Sequence, residues 1–256
     1  MHAEALKSEI DAWLASHPYG IYGEYEPGPP EAYVFRVRFL EPVPPSWAIT
    51  LGDFAHNARS ALDHLAHIVV LENNGGMDER TQFPVVFSPW EWEGAAARGI
   101  GNASERHKRL IESFQPYHRK DLFGRMWLDP TLDDPLAVLS RMNNIDKHSV
   151  LNATPAAIQS LGWDGTPVRD IASTGDWQVP EAFLEDGGVL LRVNIVSNGP
   201  SPELRIKRHE RIEIRIQLRT SLPASVIVYS VPLVETMDAI LEPLREIYQA
   251  FVSEFK

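Results

Sequence analysis

AITLGDFAHNARSALDHLAHIVVLE, residues 48–72, contains no proline and a single glycine, Gly52, and reads as the longest helix in the first half of the chain. The Asn-Asn-Gly-Gly run at 73–76 stops it with residues that tolerate left-handed backbone. At about 100° per residue, Phe54, Ala58, Ala61, Leu62, Leu65 and Val69 share one side of a helix. Asp53, His56, Arg59, Ser60, Asp63, His64 and His67 share the other. A helix with so clean a division packs one face on a core. Its polar face is unusual, because a merely solvated face is dominated by Lys and Glu, whereas this one gathers His, Asp and Arg.

Outward from this helix, residues 3–16 carry Leu6, Ile10, Trp13 and Leu14 at helical spacing, and His-Pro-Tyr-Gly ends them. Residues 20–41 read as a hairpin, with Tyr33, Phe35, Val37 and Phe39 alternating against Val34, Arg36 and Arg38. TQFPVVF (81–87) reads as a short strand or extended run. Helices are expected over 103–114 and 135–144, the latter capped by Asp133 or Asp134 with Pro135 in its first turn. From 150 to 230 the texture turns to strands, including Ile212, Ile214, Ile216 and Leu218 in strict alternation, and a final helix spans 232–255 with a kink at Pro243. The seven tryptophans, among them Trp90, Trp92, Trp127, Trp163 and Trp177, lie mostly in segments that read as loops; they either wall a ligand pocket or pin loops to the core, and the second is the expectation. The order lacks the strand–helix alternation of a doubly wound sheet, so the expected class is α+β. The expected organisation is one integrated domain over 1–256, helix-rich at 45–150, strand-rich at 150–230 and closed by the C-terminal helix.

Composition removes several function classes. A net charge of −11 disfavours sequence-independent nucleic-acid binding, which depends on cations neutralising phosphates. RIKRHERIEIRIQLR (205–219) is the one basic run, and its alternation reads as a strand with basic side chains on its wet face. Without cysteine there are no disulfides, thiolate metal sites or Cys nucleophile. There is no Gly-rich phosphate loop, no G-x-S-x-G and no H-E-x-x-H. The N-terminus lacks a signal-peptide pattern, and no run approaches the ~18 apolar residues of a membrane helix. The expectation is a soluble, cytoplasmic protein with no membrane partner.

Two polar clusters remain. Beside the helix face stands NNIDKH, where Asn143, Asn144, Asp146, Lys147 and His148 close the 135–144 segment. Such residues often only terminate a helix and complement its dipole. Asp–His pairs on two helices can also meet across a groove. Asp63 and His67 are four apart and His64 and His67 three apart, spacings at which one helix turn chelates one ion. A divalent metal held by Asp63, His67 and His148 is therefore one reading, serving a hydrolase or an oxidoreductase. A buried polar network joining two helices in a non-enzymatic binding or structural module is another.

RSALDHLA, TQFPVVF, QPY and NNIDKH, spread over 56–148, resemble a family of bacterial proteins of unassigned activity. That resemblance implies a fold alone. The family has a basic residue after DKH, where this chain has Ser149. RSALDH also resembles the HEPN superfamily, helical domains whose ribonuclease members carry an Arg, four to six residues and a His. That resemblance implies a helical-bundle core, which the strand and helix patterns of 150–255 set beside an antiparallel sheet with the C-terminal helix packing back on the core. It implies metal-independent RNA cleavage or nucleotide binding, with no cofactor, in a homodimer. Arg59, His64, Asp63 and His148 would be its catalytic groups, and Asn57, Asn144, Asp146 and Lys147 its ligand-binding shell. Ser60 departs from the Asn, Asp or His usual after the Arg. In such chemistry a His moves the proton of a 2′-hydroxyl while an Arg stabilises phosphate charge, so both must reach one phosphodiester. On an unbroken helix, residues five apart point about 140° away from each other. Arg59 and His64 can then cooperate only if the helix starts or bends near Ser60, or across two subunits. On a straight helix Arg59 faces Asp63 at i+4 instead.

Overall fold

A computed structural model of the chain describes residues 2–28, 31–73, 76, 79–118, 134–148, 151, 153–157, 162–165, 185–194, 204–207, 212–222 and 225–254. In chain order its elements are α1 (His2–Ala15), β1 (Tyr19–Glu26), β2 (Ala32–Phe39), α2 (Ser46–Glu72), α3 (Pro89–Ile100), α4 (Glu105–Ser113), a 3-10 turn (Pro116–His118) and α5 (Pro135–His148). There follow β3 (Ala153–Ala157), β4 (Gly162–Gly165), β5 (Val189–Asn194), β6 (Leu204–Lys207), β7 (Ile212–Leu222), β8 (Ser225–Pro232) and α6 (Leu233–Glu254). The class is α+β. No helix of the described residues is long and apolar enough to cross a membrane.

The chain gathers into two compact units, neither of them contiguous: essentially 3–47 with 152–217, and 48–151 with 218–256. In the first, β1 and β2 form the expected hairpin, in antiparallel register from Tyr19↔Phe39 to Glu26↔Ala32. β5 adds to the other side of β2, with a register irregularity at Phe35/Arg36. Leu14 of α1 joins Tyr19, Ile21 and Phe39 around the buried Val37. Trp13 meets Trp47 edge-on at 5.7 Å, and the Trp47 indole N–H donates to Glu9 at 3.1 Å. Around Arg36, Glu24 and Glu26 supply carboxylates and Gly187 a carbonyl oxygen.

The basic run 205–219 is not one strand. Leu204–Lys207 pairs with β4, whereas Ile212–Ile216 pairs with β3. Ile214 and Ile216 are buried as their alternation requires.

The second unit is helical at its centre. α2 runs unbroken through Ser60, with Leu51, Ala55, Leu62, Ala66, Val69 and Val70 buried. This buried stripe is turned toward Arg59 and Asp63 from the one expected: Ala61 is exposed and Leu65 half-buried. α3 was not expected, because its segment reads as a tryptophan-bearing loop. It is a helix with Pro89 in its first turn, burying Trp92, Ala96, Gly99 and Ile100. α4 is capped by Ser104, whose hydroxyl accepts the His107 N–H. α5 begins as expected at Asp134: its buried carboxylate accepts the N–H groups of Leu136 (2.9 Å) and Ala137 (3.2 Å). The helix runs to His148, one turn beyond the expected end. α6 keeps Pro243 inside a continuous helix and packs on α5. Of the tryptophans read as loop residues, Trp163 lies in β4, and Trp127 and Trp177 lie outside the described residues.

Candidate functional site

Arg59 and Asp63 lie on the rim of the buried face of α2, one turn apart, with side chains 11% and 27% exposed. The guanidinium Nη2 donates to Asp63 Oδ1 at 2.7 Å and Nε donates to Oδ2 at 3.2 Å, a two-pronged pair. Both groups also hold a third element. Arg59 Nη2 donates to the Phe83 carbonyl at 2.6 Å, and the Phe83 N–H donates to Asp63 Oδ1 at 2.9 Å. One ion pair thus supplies the donor and the acceptor that a neighbouring strand would otherwise give to Phe83.

The same device recurs along this segment. TQFPVVF, expected as a strand or extended run, is not part of a ladder. Gln82 N–H bonds to the Gly99 carbonyl at 3.1 Å. The fully buried Gln115 amide accepts from Val86 N–H at 2.9 Å and donates to the carbonyls of Pro84 and Ile111 at 3.0 Å. Phe87 N–H donates to Glu91 at 3.2 Å. Residues 82–87 are therefore a strap whose backbone is satisfied mostly by side chains of α2, α3 and the bend after α4. In the sequence Gln115 stands only in the QPY stretch that follows the 103–114 helix. Its role depends on partners some thirty residues away in sequence, and no local pattern announces it.

The other expected residues disperse. His64 and Asn57 are exposed on α2, and His67 is half-buried. The His64 and His67 rings lie 6.5 Å apart. Asp146, half-buried on α5, lies against the Gly52 backbone of α2, so close that a Cβ at position 52 would collide with its carboxylate. α5 and α2 therefore do meet through the NNIDKH segment, but at Gly52, about two turns before Arg59. Asn144 and Lys147 are exposed, and His148 is the last residue of α5, its side chain outside the described residues. Among the described residues no three His, Asp or Glu side chains converge to hold a metal ion. The Asp63 oxygens already accept three hydrogen bonds, so a cation there would have to displace Arg59 or release the strap.

No protein-family model, no curated protein and no solved structure matches the chain. Function rests on the chemistry of the residues themselves.

Proposed function

We propose that the chain is a non-enzymatic binding module in which the Arg59–Asp63 pair is a structural fastener. One observation carries this reading: the guanidinium and carboxylate are spent on each other and on both backbone groups of Phe83. A catalytic Arg must hold donors available for charge that develops in the transition state. Here those donors hold the strap. α2 also continues straight through Ser60, so Arg59 and His64 of one chain diverge by about 140°.

A second reading is favoured by the exposed side of α2, where Asn57 and His64 are open and the His67 ring neighbours His64 at 6.5 Å. In a homodimer this face would offer imidazoles to RNA or a nucleotide. The test compares RNA cleavage and nucleotide binding by the native protein, Arg59→Ala and His64→Ala. No cleavage above a protein-free blank by any of the three supports the binding module. Cleavage lost in both variants overturns it. Metal titration followed by calorimetry addresses the reading that uses Asp63, His67 and His148: stoichiometric binding abolished by Asp63→Ala would favour it.

A further inference from the structure

α3 carries Trp90, Gly94 and Arg98 at i, i+4 and i+8, one stripe along the helix. Trp90 is 85% exposed, while Trp92, two residues on, is buried. The helix thus has a place to bury an indole and leaves this one in water, where a large apolar surface commonly marks a contact site. Long side chains on a helix lean toward its N-terminus, which carries Arg98 back over Gly94. Its Nη1 would stand 3.4 Å from a Cβ at position 94, an ordinary contact distance. Among the described residues Arg98 makes no hydrogen bond or ion pair. Trp90 and Arg98 thus stand one turn to either side of Gly94 on this stripe.

The strap supplies the wall. Val85, Val86 and Phe87 close a cavity of about 390 Å³ with Trp90, Gly94 and Arg98, a size suited to a one-ring ligand. Phe87 is itself backed by the Arg141 guanidinium, 6.0 Å from its ring centroid. The one carboxylate in the lining, Glu91, accepts the Phe87 N–H beside the bay. An apolar wall and an indole select a flat apolar body. A guanidinium without a partner selects an oxyanion that it can grip with two N–H groups. Glu91 sets the charge: one bound negative charge is balanced by Arg98, whereas a dianion would face the Glu91 carboxylate uncompensated.

We infer that the bay between Trp90 and Arg98 binds a small planar monocarboxylate, its ring against the indole and its carboxylate on the guanidinium. This is independent of how α2 is read, since neither Arg59 nor His64 enters. The test titrates the full-length ¹⁵N-labelled protein with trans-cinnamate, following the Trp90 indole N–H, which is assigned by its loss in Trp90→Phe. Cinnamyl alcohol and phenyl phosphate are the uncharged and dianionic comparisons. A saturable shift with cinnamate is expected, weakened roughly tenfold or more by Arg98→Gln, as loss of a charge-assisted pair requires. Both substitutions are on the surface, and an unchanged melting curve verifies the fold. Absence of saturation, or equal binding by Arg98→Gln, overturns the site. Cinnamyl alcohol binding as tightly as cinnamate removes the carboxylate, and preference for phenyl phosphate removes the monoanion.

Discussion

At the scale of single residues, the Arg59–Asp63 pair is a junction between a helix and a strap, and its energetics follow. A hydrogen bond to a charged partner contributes about 1.5–3 kcal/mol when neither group can return to water. Arg59→Ala leaves the Asp63 carboxylate with the Phe83 N–H alone and takes the guanidinium donor from the Phe83 carbonyl; Asp63→Ala leaves the guanidinium with the Phe83 carbonyl alone and takes the acceptor from the Phe83 N–H. Each substitution is expected to cost about 1.5–3 kcal/mol in chemical denaturation. The double variant should cost clearly less than the sum, because both singles break the same junction. His64→Ala, on the exposed side, should stay within about 0.5 kcal/mol of the native protein. Additive losses at Arg59 and Asp63 would mean that the two side chains act separately. Tyr117 gives a second test. Burial first, and then the hydrogen bond from its phenol to Glu112 (3.1 Å), hold its ionisation well above the ordinary value of 10.0. From pH 10 upward the unfolded chain has lost this proton while the folded chain keeps it. Stability is therefore intact below pH 10 and falls as pH rises beyond it. Tyr117→Phe should flatten that decline in denaturation midpoints measured across the range, and an unaltered slope would assign it to other groups.

At the scale of elements, legibility depended on how far apart in sequence the partners stand. The ends of α2, the β1–β2 hairpin and the Asp134 cap are local matters of spacing, stop signals and capping chemistry, and all could be read in advance. So could the facing of Arg59 and Asp63, four residues apart. The strap could not, since Phe83 and Gln82 find partners on α2 and α3, and Val86 finds its partner, Gln115, in the bend after α4. α3 was missed for another reason. Its buried face, Trp92, Ala96, Gly99 and Ile100, is made half of small residues, so it carries little hydrophobic contrast, and two glycines imitate a loop. Pro89 in the first turn, Glu91 near the start and Arg98 near the end were the signals that could have revealed it. The small residues have a structural purpose: a Cβ at Gly99 would lie 2.5 Å from the Gln82 carbonyl oxygen, a backbone atom that cannot swing aside. Gly99→Ala should therefore destabilise by about 1–3 kcal/mol despite the better helix propensity of alanine. Gly94→Ala, whose new methyl would meet only the end of the flexible Arg98 side chain, should be neutral or stabilise by up to about 1 kcal/mol. Thermal melts of the two variants compare these directly, and equal effects would mean that the strap does not press on α3.

At the scale of the whole molecule, the net charge of −11 agrees with a protein that does not gather polyanions by charge alone, and the inferred carboxylate bay needs only one local cation. The two compact units are each assembled from separated stretches of chain, so neither can be cut out as one segment. For the second unit this has a measurable consequence. Its residues 48–151 lack α6, which buries Leu233, Met237, Ile240, Ile247 and Phe251 to 1% exposure or less and packs on α5. At about 1.5–3 kcal/mol for each such side chain, those five contribute on the order of 8–15 kcal/mol, as much as the entire net stability of an ordinary domain. A chain ending at Pro232 would leave the surface of α5 on which α6 packs without its cover. Such a truncation is expected to lose the cooperative transition of this unit and to bind a hydrophobic dye in the absence of denaturant. Near-ultraviolet circular dichroism and dye fluorescence read the two effects together. A truncated protein that kept a sharp transition and bound no dye would mean that 48–151 folds without α6, and that burial along the last helix is a consequence of the fold and not one of its causes.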